Sequence, residues 1–323
     1  MASSFIRTAA GGALVSVLCT GGVWAQSYPE RPVRLIVGFT AGGTTDIMAR
    51  LLAQQLAPLL NQNVVVENKP GAGGVIGTDF VAKAAPDGHT LLLANAGQPT
   101  AAAIRRKLPF EPVQDFAWIG MLTTYPFVIS TGAKSPLKSL ADVIARAKAE
   151  PGKVSYGTSG VGVSGHFLGE WFSDINGIDL LHVPFKGGAG AVMEVIAGRI
   201  DIQFEPVIGA LAHVKDGKLR ALAVTSRQAT SLLPDVPAAA QTVPGFVFQS
   251  WLGLAAPAAT PAAVVTRLNR ELRRILAEPD LQRRLAEFGG VAAPSTPDEM
   301  RAQVTGEIDR WRQLVTNRNI EQQ

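Results

Sequence analysis

The length of 323 residues allows two domains, because a single hydrophobic core seldom serves a chain of this size. Hydrophobic residues make up 47% of the chain and charged residues 17%, a balance that excludes a disordered protein. The formal net charge is +4. The basic residues late in the chain have helical spacing and no interleaved aromatics, which predicts a solvated helix face and no nucleic-acid partner. These residues are Arg267, Arg270, Arg273, Arg274, Arg283 and Arg284.

The first 25 residues have the pattern of a secretory signal peptide. Arg7 supplies a positive charge, residues 9–18 form a short apolar run, and Val23-Trp24-Ala25 offers small residues for cleavage after Ala25. A membrane anchor is less well supported, since a span needs about 20 apolar residues. We therefore expect an exported, periplasmic protein with no membrane-spanning segment.

Cys19, the single cysteine of the chain, is removed with this signal peptide. Lipidation at Cys19 is a weaker alternative, because the preceding Leu18 is too bulky for the usual motif. The mature protein is thus expected to have no disulfide and no cysteine metal site.

The mature chain begins with an alternation of strands and helices. Residues 33–37, 64–66 and 91–94 are predicted strands, and residues 46–60 form a helix with one apolar stripe. A further helix is expected to end near Ala85. This order predicts an α/β domain with a parallel sheet.

The same pattern then restarts. Residues 118–123 and 127–130 are predicted strands, with Tyr125-Pro126 between them as a crossing between lobes. A capping box at residues 139–142 is predicted to open a helix, and further strands are expected at 154–157, 180–184, 200–204 and 219–225. Residues 248–255 lead back to two closing helices, the last opened by a capping box at residues 296–299. We predict lobe 1 from 26–124 plus 249–323, lobe 2 from 125–248, and a ligand cleft between them.

Two turns between a strand and a helix are candidate anion sites, because the first N–H groups of a helix and its dipole favour negative charge. The first turn follows the strand at 33–37 and has no lysine, which argues against a nucleotide triphosphate. An ordinary turn capping its helix is the alternative interpretation. The candidate ligand-binding residues here are Phe39, Thr40, Ala41, Gly43, Thr44 and Asp46.

The second turn, at residues 157–165, repeats this design in lobe 2. Its glycines match a dinucleotide-binding pattern, but the required acidic residue is misplaced, because Asp179 precedes the next strand. We therefore expect no nucleotide cofactor. The candidate ligand-binding residues are Ser159, Gly160, Ser164 and His166, although His166 could equally pack locally.

A smaller group of candidates surrounds these turns: Gly73, Lys186, Gly187 and Glu205. Glu205 ends a strand just before Pro206, where side chains point into the crevice of an α/β sheet. Its carboxylate could bind an amine or hydroxyl of the ligand, or it could pair with Lys186. Both alternatives remain open at this point. The segment 95–100 is predicted to be a loop that also lies beside these turns.

Catalysis has little support in the sequence. The four histidines show no metal-binding spacing, and no serine has the context of a nucleophile. We expect no catalytic residues, no metal and no cofactor. An exported enzyme that uses the same cleft is the alternative function.

The order of these motifs resembles the Bug-type substrate-binding receptors of tripartite tricarboxylate transporters. The resemblance runs from Tyr28 to the C-terminal helices. The residues that carry it are Tyr28-Pro29, Arg31-Pro32, the turn 39–46 with Ala49-Arg50, the segment 66–74, the segment 86–91, the turn 156–162 and the segment 182–188.

The resemblance implies the two-lobed type II periplasmic-binding-protein fold. It also implies a monomeric receptor that captures a small organic acid for the membrane subunits of a transporter. The first turn would hold a ligand carboxylate, and the second turn with residues 186–188 would line the opposite wall. Many members have Asp where this chain has Glu205, so the ligand does not carry over. A receptor that reports the ligand to a sensor system is a further alternative.

Overall fold

The computed structural model describes residues 28–185 and 187–323, so the predicted signal peptide and Lys186 lie outside the described residues. The first half contains, in order, β1 (Val33–Val37), α1 (Thr44–Leu60), β2 (Val64–Asn68), α2 (Val75–Ala82), β3 (Thr90–Asn95), α3 (Gly97–Ile104), β4 (Phe116–Gly132), α4 (Leu140–Ala149), β5 (Ser155–Thr158) and α5 (Ser164–Asn176).

The second half continues the alternation of strands and helices. It contains β6 (Leu181–Pro184), α6 (Gly188–Ile196), β7 (Ile202–Pro206), α7 (Val207–Lys215), β8 (Leu219–Val224), β9 (Gln249–Pro257), α8 (Ala262–Leu276), α9 (Pro279–Glu287), β10 (Val291–Ala292) and α10 (Pro297–Asn317). Both predicted capping boxes are present, with Ser139 and Asp142 at α4 and Thr296 and Glu299 at α10.

The strands form two sheets that share β4. In the first sheet the order is β2-β1-β3-β9-β4, with β1 parallel to β2 and β3, and with β9 antiparallel to its neighbours. In the second sheet β4 pairs with β7 and β8, and β5 lies between β7 and β6. We call the part built on the first sheet lobe 1 and the part built on the second sheet lobe 2.

The crossing between the sheets lies at Pro126, within one continuous strand. The prediction of two separate strands in this region was wrong. Pro126 pairs with Gln249 of β9, and the next residue, Phe127, pairs with Pro206 of β7. Proline has no N–H for a ladder bond, and it is tolerated here because the strand changes partners at this position.

The segment 95–100 is not a loop, as predicted, but the end of β3 followed by the first turn of α3. Pro99 occupies the third position of this helix. A first-turn N–H has no intrahelical acceptor, so Pro99 costs α3 no hydrogen bond. A helix N-terminus, and not an irregular loop, therefore follows the carboxyl end of β3.

A shared aromatic core joins the lobes behind the sheets. Trp311 of α10 is fully buried and contacts Phe167 and Trp171 of α5 and Phe248 beside β9. A separate core on the other face of the first sheet packs α1, α8 and α9 against β1, β3 and β9. Within the described residues, no helix is both long and apolar enough to cross a membrane.

Candidate functional site

A cavity of about 160 Å³ lies between the lobes at the carboxyl ends of the parallel strands. We call it the ligand cavity. Lobe 1 and the two crossing segments, residues 124–127 and 248–251, form one wall, and lobe 2 forms the other. The lining residues are Phe39, Thr45, Gly73, Asn95, Gly97, Tyr125, Phe127, Ser159, Gly162, Val163, Ser164, Gly165, Phe204, Glu205, Pro206 and Ser250.

Four helices begin at this cavity. Thr45 lies in the first turn of α1, Gly97 begins α3, Ser164 begins α5, and Pro206 immediately precedes α7. Among the residues that the structure describes, no side chain caps the N-termini of α1, α5 and α7, whereas at α3 Asn95 Oδ1 accepts a hydrogen bond from the Gly97 N–H at 2.8 Å. Complete capping boxes are present at α4 and α10, which begin away from the cavity, while α2, α6, α8 and α9 also begin without a side-chain cap. First-turn N–H groups are therefore available to an anion from both walls.

Asp46 holds the first turn in place instead of facing the cavity. Its carboxylate accepts hydrogen bonds from the Gly42 N–H at 2.9 Å, from Arg50 at 3.0 Å to each oxygen, and from Asn68 Nδ2 at 2.9 Å. The pKa of Asp46 is lowered to about 2, mainly by the hydrogen bond from Arg50. Asn68 also donates to the Phe39 carbonyl, so the same cluster fixes both ends of the turn.

We expect Asp46→Asn to lower the free energy of unfolding by about 2 kcal/mol, because a buried carboxylate with several charged and backbone donors is lost. Thermal unfolding at neutral pH measures this change as a fall of about 5 °C. Asp280→Asn is the matched control, since Asp280 pairs with arginines on the surface of α9 and its side chain is 51% exposed. An equal loss in both variants would contradict the assigned role.

The second turn is held by a pair of stacked histidines. The rings of His166 and His182 lie 4.1 Å apart at 18°. His166 Nδ1 accepts from the Gly162 N–H at 3.3 Å, and His182 Nε2 lies 2.7 Å from Thr158 Oγ1. Burial lowers the pKa of His166 to about 4, and burial together with His166 lowers the pKa of His182 to about 3. Both rings are therefore neutral at physiological pH and add no charge to the site.

Glu205 brings the one acidic side chain to the wall of the ligand cavity, as far as the structure describes that wall. Glycines make room for it: a Cβ on Gly188 or Gly209 would lie 2.6 or 2.7 Å from Glu205 Oε1. Burial raises the pKa of Glu205 to about 7. Within the described residues no hydrogen bond to this carboxyl is formed. The alternative pairing with Lys186 falls outside them.

The structure brings together only some of the predicted site residues. Five of them line the ligand cavity: Phe39, Gly73, Ser159, Ser164 and Glu205. Eight others flank the cavity without lining it: Thr40, Ala41, Gly43, Thr44, Asp46, Gly160, His166 and Gly187. Their predicted contacts with a ligand stay predictions, as does that of Lys186, which lies outside the described residues.

Two residues of the wall, Tyr125 and Ser250, were not among the predicted site residues, and both come from the crossing segments. Asn95 and Gly97 also line the cavity and belong to the segment 95–100, which was expected beside the site. The predicted crossing at Tyr125-Pro126 was a usable signal, because residues at a crossing between lobes also border the cleft. Within the described ranges, no three His, Cys, Asp or Glu side chains come together as a metal site.

Comparison with known proteins places the chain among transport receptors. Residues 48–320 match the TctC family, the tripartite tricarboxylate transporter family receptors. BugT of Bordetella pertussis is 37% identical over 314 residues, which cover 96% of this chain and 94% of BugT.

Two solved structures from Rhodopseudomonas palustris share the fold. Rpa4515 with adipate has a TM-score of 0.82 and 32% identity, and covers 90% of this chain and 98% of its own. MatC with bound malate has a TM-score of 0.79 and 31% identity, and the match covers 89% of this chain and 100% of MatC. The predicted resemblance and the two-lobed periplasmic-binding fold are confirmed. The chain belongs to the family of tripartite tricarboxylate transporter receptors, which are periplasmic solute-binding proteins.

Proposed function

We propose that this receptor closes its lobes around a small organic acid and delivers it to the membrane subunits of a tripartite tricarboxylate-type transporter. The observation that carries the proposal is the convergence of four helix N-termini on the ligand cavity, three of which, those of α1, α5 and α7, have no side-chain cap. That arrangement suits carboxylates held by neutral donors. The adipate of the Rpa4515 structure and the malate bound to MatC support the same class of ligand.

The size of the ligand cavity supports a small solute. Its volume of about 160 Å³ is below the range of about 300–1,000 Å³ for pockets that hold drug-sized ligands. Micromolar affinity requires about 8 kcal/mol. A few hydrogen bonds to a carboxylate, at about 1.5–3 kcal/mol each, supply that amount when the acid is desolvated between the lobes.

Glu205 restricts the class of acid further. Its pKa of about 7 keeps the carboxyl protonated in about half of the molecules at neutral pH, so it can donate to an oxygen of the ligand. No Lys, Arg or His side chain lines the described part of the cavity. We therefore favour an acid without an amino group. An amino acid would instead pair its amine with ionised Glu205. The pH dependence of binding distinguishes these two classes of ligand.

The proposal includes export and processing. We expect cleavage after Ala25, a periplasmic mature protein and a monomer in solution. Mass spectrometry of the protein purified from the periplasm tests the cleavage site. A protein that retains residues 1–25 at the membrane would contradict this part of the proposal.

A thermal-shift screen of the mature protein tests the ligand class, after mild unfolding and refolding to strip any carried solute. The panel contains dicarboxylates, tricarboxylates, aromatic acids and amino acids. A true ligand at 100 times its dissociation constant adds about 2.7 kcal/mol to the free energy of unfolding. A shift of several degrees limited to one class of acid supports the proposal. A shift with metals or nucleotides but with no acid would overturn it.

A further inference from the structure

A second cavity between the lobes is larger than the ligand cavity and has no part in the function proposed above. Its volume is about 690 Å³, within the range of pockets that hold drug-sized molecules. Residues 226–232 of lobe 2 form one side, and residues 289–291 of lobe 1 form the other. Gln303, Glu307 and Arg310, on one face of α10, complete the wall. We call it the hinge cavity.

The two cavities lie on opposite faces of the same crossing segments. Along β4, Thr124 and Pro126 line the hinge cavity, whereas Tyr125 and Phe127 line the ligand cavity. Along β9, Trp251 lines the hinge cavity and Ser250 the ligand cavity. Successive side chains of a strand point to opposite faces, so the alternation follows from strand geometry. Any rotation of the lobes about these segments therefore changes both cavities together.

The chemistry of the hinge cavity differs from that of the ligand cavity. Arg227 and Arg310 bring two guanidinium groups to its wall, and Arg310 lies over the ring of Trp171 at 5.6 Å. The accessible side chains of Leu232, Val247 and Val291 provide an apolar surface. Guanidinium groups beside apolar surface suit an anion that has an apolar body.

A buried carboxyl group in the same wall is compatible with an anion. Glu307 is 4% exposed and accepts hydrogen bonds from Trp251 Nε1 at 3.1 Å and from Gln303 Nε2 at 2.7 Å. Burial raises the pKa of Glu307 to about 7. A bound anion raises this pKa further, so the carboxyl is neutral in the complex and opposes the anion little.

We propose that the hinge cavity is a second binding site, for an organic anion with an aromatic or branched apolar body, and that its occupation strengthens binding in the ligand cavity. An occupant contacts both lobes, so it stabilises the arrangement of lobes in which it fits. Because the two cavities lie on opposite faces of the crossing segments, an occupant that holds the hinge cavity open favours closure of the lobes on the side of the ligand cavity, which makes the coupling positive. The coupling is reciprocal, because each ligand changes the affinity for the other by the same factor.

The direct probe is anilinonaphthalene sulfonate (ANS), a fluorescent organic anion with an aromatic body. A fluorescence titration of the mature protein measures its dissociation constant. We expect Arg227→Gln to weaken binding at least about tenfold, the usual effect of losing a charged contact. Arg274→Gln is the matched control, because Arg274 is an exposed arginine on α8 outside the hinge cavity, and it is expected to titrate like the wild type.

A second arm separates the two cavities. Thr45→Asp, a change in the wall of the ligand cavity, is expected to leave ANS binding intact. An acid found in the thermal-shift screen is expected to strengthen ANS binding at least about threefold. Absence of ANS binding, equal affinity in Arg227→Gln, or displacement of ANS by the acid would each overturn the proposal. The first arm is independent of the proposed function, so it gives an answer even if no acid binds.

Discussion

Thr45→Asp is expected to weaken binding of the organic acid at least about a hundredfold, while the protein stays folded. Thr45 lies in the first turn of α1 and lines the ligand cavity. A carboxylate at this position meets the ligand carboxylate directly, and such contacts between like charges cost several kcal/mol. The same carboxylate stabilises α1 by about 0.3–1 kcal/mol, because negative charge at a helix N-terminus is favourable.

Thr45→Asn is the matched control for this experiment, since it introduces a side chain of the same shape without the charge. Isothermal titration calorimetry of both variants with the same acid measures the effect of charge alone. We expect Thr45→Asn to bind within about tenfold of the wild type. Equal affinities in the Asp and Asn variants would show that no ligand carboxylate lies at the N-terminus of α1.

Affinity for the acid is expected to fall about tenfold as the pH rises from about 6 to about 8.5. Burial raises the pKa of Glu205 to about 7, and an anion bound beside it raises that pKa further. The complex therefore binds more protons than the free receptor in this range, which makes binding weaker at higher pH. His166 and His182, with pKa values of about 4 and 3, stay neutral throughout and do not contribute.

Glu205→Gln tests the origin of this dependence, because the amide keeps the shape and a hydrogen-bond donor but does not ionise. We expect its dissociation constant to vary little over the same pH range. The raised pKa also means that the free energy of unfolding of the wild type falls as pH rises from about 4.5 to about 7, and that the variant lacks this fall. Tighter binding by the wild type at high pH would instead identify a ligand with an amine.

The regular parts of the fold could be predicted because local signals agreed with the tertiary structure. The strands at 33–37 and 91–94 are apolar runs followed by turns, and the capping boxes at Ser139 and Thr296 mark helix starts by side-chain chemistry alone. β4 and α3 were harder. Tyr125-Pro126 suggested an interruption in β4, but Pro126 lies where the strand changes partners. Both elements contain a proline, and Pro99 lies in the first turn of α3, where it costs no hydrogen bond.

The candidate site was only partly predictable, because a sequence indicates which turn approaches the cleft but not which atoms face it. Thr44 and Thr45 are neighbours of the same type, and Thr45 is the one on the cavity wall. Asp46 looked like a ligand-binding residue, yet its carboxylate is bonded to Arg50, Asn68 and Gly42. Those partners come from other segments or from the folded turn itself, and no local pattern specifies them.

A crystal structure of the receptor with the acid that gives the largest thermal shift tests the central claim most directly. We expect the acid between the lobes, with a carboxylate oxygen about 3 Å from backbone N–H groups in the first turn of α1 or α5. Glu205 is expected to lie within hydrogen-bond distance of the same molecule. An acid bound in the hinge cavity or on the outer surface, with the ligand cavity unchanged, would contradict the account.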